Sequence, residues 1–130
     1  FMRDQGIPAG NPNIQPSAGE FYSSVDEVAY ITFNVTFLAP LEIGQITLEY
    51  KDDVPATCTG DYCFHLISEN CSNTAFQQWD VCQMTVRWVA PDESEYKARL
   101  RIPLINDDRF NLFVSLRGRA IVRYLPIVIR

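Results

Sequence analysis

The chain has 130 residues, of which 47% are hydrophobic and 21% are charged, and its formal net charge is −5. A chain of this length and composition suits one domain with a packed core and excludes wholesale disorder. The acidic balance argues against nucleic acid or an anionic membrane surface as the main partner, and no apolar run reaches the roughly 18 residues that a bilayer-spanning helix needs.

The first segment, residues 1–27, shows no regular period. Residues 1–20 contain three prolines and three glycines, which are typical of loops and linkers. We therefore expect an extended N-terminal arm that becomes ordered only by lying on another surface. Because the chain starts at Phe1 rather than at a methionine, we also expect a processed or partial product whose export signal could lie outside it.

Regular alternation begins at Val28. Residues 28–37 (VAYITFNVTF) place apolar and polar side chains on opposite faces, which is the period of a half-buried strand. Residues 39–44 interrupt this pattern with a proline and a glycine, and residues 45–50 (QITLEY) resume it. A turn-rich loop follows, and a short apolar run (FHLI) then begins at Phe64.

The second half of the chain alternates more clearly. Residues 83–89 (QMTVRWV), 96–104 (YKARLRIPL) and 109–118 (RFNLFVSLRG) each place alternate side chains on one apolar face. Turn residues separate these runs, and Asn-Asp-Asp at 106–108 indicates a hairpin. An apolar tail, residues 121–130 (IVRYLPIVIR), follows the last of them.

About seven short strands without a helical period predict an all-β domain, an antiparallel β-sandwich over residues 28–120. A closed barrel is the alternative. Residues 121–130 would form a separate apolar strand or docking tail. The residues expected in the core lie on the inward faces of the strands: Phe33, Val35, Leu48, Val86, Trp88, Leu100, Ile102, Val114 and Leu116.

Four cysteines, Cys58, Cys63, Cys71 and Cys82, indicate disulfides better than a metal site. Zinc would favour paired C-x-x-C knuckles or several histidines, whereas four, seven and ten residues separate these cysteines and the only histidine is His65. Four cysteines allow three connectivities, which sequence alone does not separate. We favour Cys58–Cys63 and Cys71–Cys82, since each closes a short loop between strands, and hence an oxidising, extracytoplasmic compartment.

A series of motifs covers about two thirds of the chain. Residues 39–48 (APLEIGQITL) are followed by an aromatic-hydrophobic run with Cys71, and a strand then opens at Cys82 with the pattern CQMTVRWVAP. Residues 96–102 (YKARLRI) and 114–120 (VSLRGRA) complete the series. The series resembles the bacterial relatives of the ASPM–SPD-2–Hydin and major-sperm-protein group, also called choice-of-anchor domains.

This resemblance implies an immunoglobulin-like sandwich of seven strands that binds or scaffolds and has no catalytic residues. The chain departs from the group in three respects: Cys58 and Cys63 are additional, the loop 73–80 (NTAFQQWD) lacks the expected glycines, and the tail after Ala120 extends past the usual end of the domain.

The residues themselves offer no catalytic, metal-binding or cofactor-binding constellation. His65 has no candidate nucleophile in a recognisable turn and is interpreted as an ordinary strand residue. The acidic pairs at 52–53 and 107–108 match no calcium-loop pattern and are interpreted as solvated turns. We therefore expect a non-enzymatic protein without a metal ion or a cofactor.

Two groups of residues are candidates for partner contacts. Trp79 lies near Phe76 in the loop that a Cys71–Cys82 disulfide would close, and an exposed aromatic residue there could contact a protein or a sugar, or could pack the loop down. The apolar tail either returns as a last strand of the sandwich or pairs with a neighbouring subunit, since a bare apolar edge invites pairing. The tail residues expected to make contacts are Ile121, Tyr124, Leu125, Ile127 and Ile129.

The leading hypothesis is a structural or interaction domain, a subunit or module of a bacterial extracytoplasmic assembly such as a secretion apparatus or a surface appendage. It would lie in the periplasm, at the outer membrane or on the cell surface, and its partners would be other protein subunits of an envelope complex. The alternative is a carbohydrate-binding or adhesin module that binds a glycan through Phe76 and Trp79. A small hydrolase on a sandwich scaffold ranks below both.

Overall fold

The computed structural model describes residues 12–105 and 111–121, and this part of the chain contains ten β-strands. Among these residues there is no helix with the length and apolarity that crossing a membrane would require. The strands in chain order are β1 (Asn13–Gln15), β2 (Gly19–Ser23), β3 (Val28–Thr36), β4 (Leu41–Ile43), β5 (Thr47–Glu49), β6 (Cys63–Glu69), β7 (Thr74–Phe76), β8 (Val81–Val89), β9 (Glu95–Pro103) and β10 (Asn111–Ala120).

Two four-stranded sheets pack face to face. The first sheet has the strand order β1-β3-β8-β6, the second has the order β2-β10-β9-β5, and β4 and β7 form a separate small pair. Among the ten described strands, every strand pairing is antiparallel except that of β2 with β10, which is parallel. The prediction of an all-β antiparallel sandwich is therefore confirmed.

The core follows from the alternation of apolar side chains, because successive residues of a strand point to opposite faces of a sheet. Eight of the nine predicted core residues are buried, and Trp88 contacts Phe64 with a ring-centroid distance of 4.6 Å. Gly118 lies against the Trp88 ring, where an added Cβ would come within 2.7 Å of ring atoms. The exception is Leu48, which is only half-buried because β5 is a three-residue edge strand.

The N-terminal arm predicted over residues 1–27 is not what the structure shows for the described part of that segment. β1 pairs with β3 in the first sheet, and β2 pairs with β10 in the second. Phe21 is fully buried among Phe64 and Trp88, so this segment contributes to the core. The sequence does not show these two strands by their alternation, because both are short and Pro16 lies between them.

Both favoured disulfides are confirmed. Cys58 bonds to Cys63 and Cys71 bonds to Cys82, with Cα–Cα distances of 5.3 and 5.4 Å that lie within the usual range. The first ties the loop after β5 to the start of β6, and the second ties the segment after β6 to β8. The hairpin predicted at 106–108 lies outside the described residues.

Candidate functional site

The two long sides of the sandwich differ, and one of them is open. On the side of β1 and β2 the chain crosses from one sheet to the other, whereas on the opposite side the edge strands β5 and β6 face each other without a connecting ladder. A groove of about 720 Å³ lies between these two edge strands and the loop 51–62. This groove is called here the β5–β6 groove.

The groove has a largely apolar floor and a mixed rim, to which the exposed Gln45, Thr47 and Ser68 also contribute. Ile46 and Phe64 are buried beneath it, and Leu48, Tyr50 and Leu66 are half-buried along it. At the rim, two large aliphatic side chains face solvent: Val54 is 58% exposed and Ile67 is 44% exposed. Such a surface suits an apolar partner segment, since burying apolar area contributes about 25 cal/mol for each Å².

The main chain of β6 is available for pairing along the groove. Within the described residues β6 pairs only with β8, so its other side is an edge. The Phe64 N–H points away from β8 and donates to the Tyr50 hydroxyl at 3.2 Å. By the alternation of an antiparallel ladder, the N–H and C=O of Leu66 also point away from β8. A bulge between Leu66 and Ser68 ends this regular stretch.

One end of the groove is held by a covalent bond and by tyrosine hydroxyls. The Cys58–Cys63 disulfide closes the loop 51–62 onto β6, and the hydroxyls of Thr57 and Tyr96 lie 2.7 Å apart, which ties the same loop to β9. Burial raises the pKa of Tyr50, and the hydrogen bond from Phe64 only partly offsets this effect. The Tyr50 hydroxyl is therefore protonated at neutral pH and can donate as well as accept.

The other end of the groove is held by Glu69. Its carboxylate accepts hydrogen bonds from the N–H groups of Cys71 at 2.8 Å and Ser72 at 2.7 Å. Burial alone would raise the pKa of Glu69, but hydrogen bonds from Ser72 and Cys71 outweigh it and hold the pKa below its usual value. Both ends of the groove are thus fixed before any partner arrives.

The described ionisable groups in the groove are already engaged in local structure. His65 Nε2 lies 3.1 Å from the Tyr62 carbonyl oxygen, and Glu69 is bonded as described above. Within residues 12–105 and 111–121, no group of three or more His, Cys, Asp or Glu side chains could hold a metal ion. The arrangement is suited to binding an extended segment, because it offers apolar surface, main-chain hydrogen-bonding groups and the neutral polar side chains of Gln45, Thr47 and Ser68.

The predicted aromatic contact residues behave differently from each other. Phe76 is buried, only 7% exposed, and stacks on Phe37 with a centroid distance of 4.1 Å, so its prediction as a partner contact is corrected: it packs the loop down. The Trp79 side chain is 65% exposed, and the main-chain N–H of Trp79 donates to the Phe37 carbonyl oxygen. The φ angle of Trp79 is 73°, which lies in the left-handed region that residues other than glycine rarely adopt.

Of the predicted tail contacts, only Ile121 lies within the described residues. It is exposed, and its N–H donates to the Ser23 carbonyl oxygen at 2.7 Å. Tyr124, Leu125, Ile127 and Ile129 lie outside the described residues. The described members of the predicted contact set, Phe76, Trp79 and Ile121, do not line the β5–β6 groove.

Sequence reasoning missed the groove. The run FHLI was interpreted only as a short apolar strand, and the loop 51–62 only as rich in turns. One signal was present: β6 lacks the strict alternation of β9, and its outer half contains an isoleucine, Ile67, next to serine. Such a break indicates an edge strand or a bulge, but it does not show which other edge lies across from it.

No known protein-family model matches the sequence, and no curated protein matches it either. Solved structures do resemble its fold. The secreted serine protease VesC from Vibrio cholerae is similar with a TM-score of 0.66 and 8% identity, over 86% of this chain and 23% of the protease. The chain thus spans about a quarter of that protein's length.

Two other structures match over nearly their whole length. The ASH/PapD-like domain 7 of human CEP192 has a TM-score of 0.54 and 10% identity, covering 95% of both chains. WR4, an MSP family member of C. elegans, has a TM-score of 0.51 and 8% identity, covering 86% of this chain and 99% of that one. At such identities the likeness establishes the fold alone, and this fold is an immunoglobulin-like sandwich.

The resemblance deduced from the sequence motifs is thereby supported as a fold, since ASH/PapD-like and MSP domains are among the similar structures. Membership of the choice-of-anchor group itself stays a prediction.

Proposed function

We propose that this protein is a non-enzymatic interaction module whose β5–β6 groove takes up an extended apolar segment of another protein. The partner strand would add to the free edge of β6, using the outward N–H and C=O of Leu66. Main-chain hydrogen bonds would supply affinity, and alternate side chains of the partner would occupy the floor beside Leu48 and Tyr50. The observation that carries the proposal is the groove itself, with its apolar floor and exposed rim.

An exposed edge strand normally carries a protective feature. Short length, charge, proline or a covering loop usually prevents unwanted pairing. β1 and β5 have only three residues each, so they offer little template. β6 has seven residues and carries the exposed Ile67; the loop 51–62 and the Tyr50 hydroxyl cover its first residues, and a bulge follows Leu66. The remaining open stretch of this edge favours pairing with a strand of another protein.

The two disulfides favour an oxidising compartment, because the cytosol keeps most thiols reduced. The likeness to part of a secreted protease is compatible with this setting. We infer a module or subunit of a bacterial extracytoplasmic assembly, such as a secretion apparatus or a surface appendage. It would act in the periplasm, at the outer membrane or on the cell surface.

Selection from a random peptide library on the immobilised protein tests the groove. We expect enriched peptides with apolar residues at alternate positions, which bind the wild type and the variant Val28→Asp but not Ile67→Asp. Val28 is a matched control because it is an exposed aliphatic residue on β3, away from the groove. Peptides that bind Ile67→Asp as well as wild type, or a selection without enrichment, would contradict the proposal.

A second candidate function rests on Trp79. This side chain is exposed, as are Leu38 and Val81, which follow Phe37 and Asp80 in the chain. An exposed indole is a common stacking surface, and a glycan-binding or adhesin module could use it. A glycan array with wild type and Trp79→Ala tests this function: binding lost in the variant supports it, and an array without binding contradicts it.

A separate proposal concerns residues 121–130. We infer that this apolar tail pairs with a neighbouring subunit, and truncation after Ala120 tests it. A shortened protein that stays folded and monomeric but leaves its complex supports docking through the tail. A truncation that unfolds the domain would place the tail in the core and overturn the inference.

A further inference from the structure

The Tyr50 side chain spans the β5–β6 groove from one sheet to the other. Tyr50 follows β5, in the second sheet, and its hydroxyl accepts a hydrogen bond at 3.2 Å from the main-chain N–H of Phe64 on β6, in the first sheet. The side chain is half-buried, and the two ring centroids lie 6.3 Å apart. Within the described residues no strand ladder joins β5 to β6, so this hydrogen bond is a contact between the two facing edges.

The Tyr50 hydroxyl occupies the position at which a partner strand would place a carbonyl oxygen. In an antiparallel ladder the N–H groups of alternate residues point to the same side, so Phe64 and Leu66 both present their N–H to the free edge of β6. A strand added to this edge would accept hydrogen bonds from both N–H groups. Because the Phe64 N–H already donates to Tyr50, the hydroxyl and a partner carbonyl compete for the same donor.

The open part of the edge is short while this hydrogen bond is intact. The loop 51–62 and the Tyr50 hydroxyl cover its beginning, and the bulge between Leu66 and Ser68 interrupts its other end. The regular stretch between them offers the N–H and C=O of Leu66. Strands in globular proteins usually have at least about three residues, so a partner strand needs the Phe64 N–H as well.

We propose that Tyr50 gates the β5–β6 groove: its hydroxyl caps the Phe64 N–H in the free protein and leaves it when a partner strand pairs with β6. This inference rests on the proposed function of the groove. The partner's carbonyl oxygen then accepts the hydrogen bond from Phe64, so that the paired stretch runs from Phe64 to Leu66 and the donor stays satisfied. In the free protein the cap protects the edge from unwanted pairing, which charges or prolines do on other edge strands.

Tyr50→Phe tests the gate, because this change removes the hydroxyl and keeps the ring. The probe is a fluorescein-labelled peptide of alternating valine and threonine, titrated with each protein in fluorescence anisotropy. We expect Tyr50→Phe to bind it about twofold to tenfold more tightly than the wild type, since the net contribution of one hydrogen bond corresponds to such a factor. Tyr22→Phe is the matched control and should bind like the wild type: it loses a hydroxyl bond of the same length, 3.2 Å to Glu20, on β2 away from the groove.

Hydrogen exchange of the Phe64 amide, followed by NMR, separates the gate from a gain of apolar surface in the variant. In the free proteins this amide should exchange about twofold to tenfold faster in Tyr50→Phe than in the wild type, because it has lost its acceptor. In the two peptide complexes it should be equally protected, because the peptide carbonyl then accepts from it. Tighter binding by the variant with an unprotected Phe64 amide in its complex would overturn the gate.

Failure of the gate and failure of the groove give different results. Equal or weaker binding by Tyr50→Phe, abolished in both proteins by Ile67→Asp, would overturn the gate and leave the groove proposal intact. Binding that is measurable for Tyr50→Phe but not for the wild type would support the gate. Binding of the peptide by neither protein, or binding that Ile67→Asp leaves unchanged, would overturn both proposals.

Discussion

The two long sides of this sandwich differ: the side of β1 and β2 is closed, and the side of β5 and β6 is open. On the closed side, β1 and β2 place one strand on each sheet and insert Phe21 into the core. On the open side, β5 and β6 stay one strand each at the edges, and the space between them is a groove with exposed rim residues. The difference shows what decides which side is available for a partner. It is the passage of the chain from one sheet to the other, between β1 and β2, rather than the number of apolar residues on an edge strand.

The largest expected effect is on the closed side. Phe21→Ala removes a fully buried ring that contacts Phe64, and it should lower the free energy of unfolding by about 3–5 kcal/mol through lost transfer energy and a cavity. Urea denaturation measures this change. Tyr22→Ala is the control, because Tyr22 is 52% exposed and should cost about 0.5 kcal/mol or less. A Phe21 variant as stable as its control would show that the closed side is not part of the core.

A second prediction compares two leucines that are register partners, Leu48 on β5 and Leu100 on β9. Leu100 is fully buried, so Leu100→Ala should cost about 2–5 kcal/mol. Leu48 borders the groove and is half-buried, so Leu48→Ala should cost roughly 1–2 kcal/mol. Both values come from denaturation curves. Equal costs would mean that the groove is closed in solution.

A third prediction compares the disulfides. Cys71–Cys82 spans 11 positions and Cys58–Cys63 spans 5, so in the chain-entropy model their removal costs roughly 3 and 2 kcal/mol. Paired Cys→Ser variants and thermal or urea unfolding measure these costs. The shorter bridge should matter more for peptide binding, because it holds the loop at one end of the groove. A larger stability loss from the shorter bridge would contradict the entropic order.

The smallest expected effect is on the stability of the fold at acidic pH. Hydrogen bonds from Ser72 and Cys71 outweigh burial and depress the pKa of Glu69, so its carboxylate stabilises the fold at pH values above its unfolded pKa. This stabilisation is lost as pH falls from about 4.5 through the lower folded pKa. Glu69→Gln should therefore lower the free energy of unfolding at neutral pH. The free energy of unfolding of this variant should also fall less than that of the wild type as the pH decreases below about 4.5, as urea denaturation at a series of pH values would measure. A decline equal to that of wild type would show that Glu69 does not contribute to it.

The sequence by itself determined the strands that alternate strictly. In β8 and β9 every second residue is apolar, and these side chains are buried as predicted, from Met84 to Trp88 and from Tyr96 to Ile102. The favoured cysteine pairing was also correct, since each bridge joins cysteines close together in the chain. Local information suffices here because side-chain period and loop closure are properties of neighbouring residues.

Only the tertiary structure decided which segments meet across the sandwich. It placed Phe21 in the core through a parallel pairing of β2 with β10, which residues far apart in the chain create. It buried Phe76 against Phe37 while leaving Trp79 exposed, although both lie in the short segment between Cys71 and Cys82. It also opposed the edges of β5 and β6 to form the groove. Such contacts depend on how the two sheets are stacked, and no local pattern of side chains carries that information.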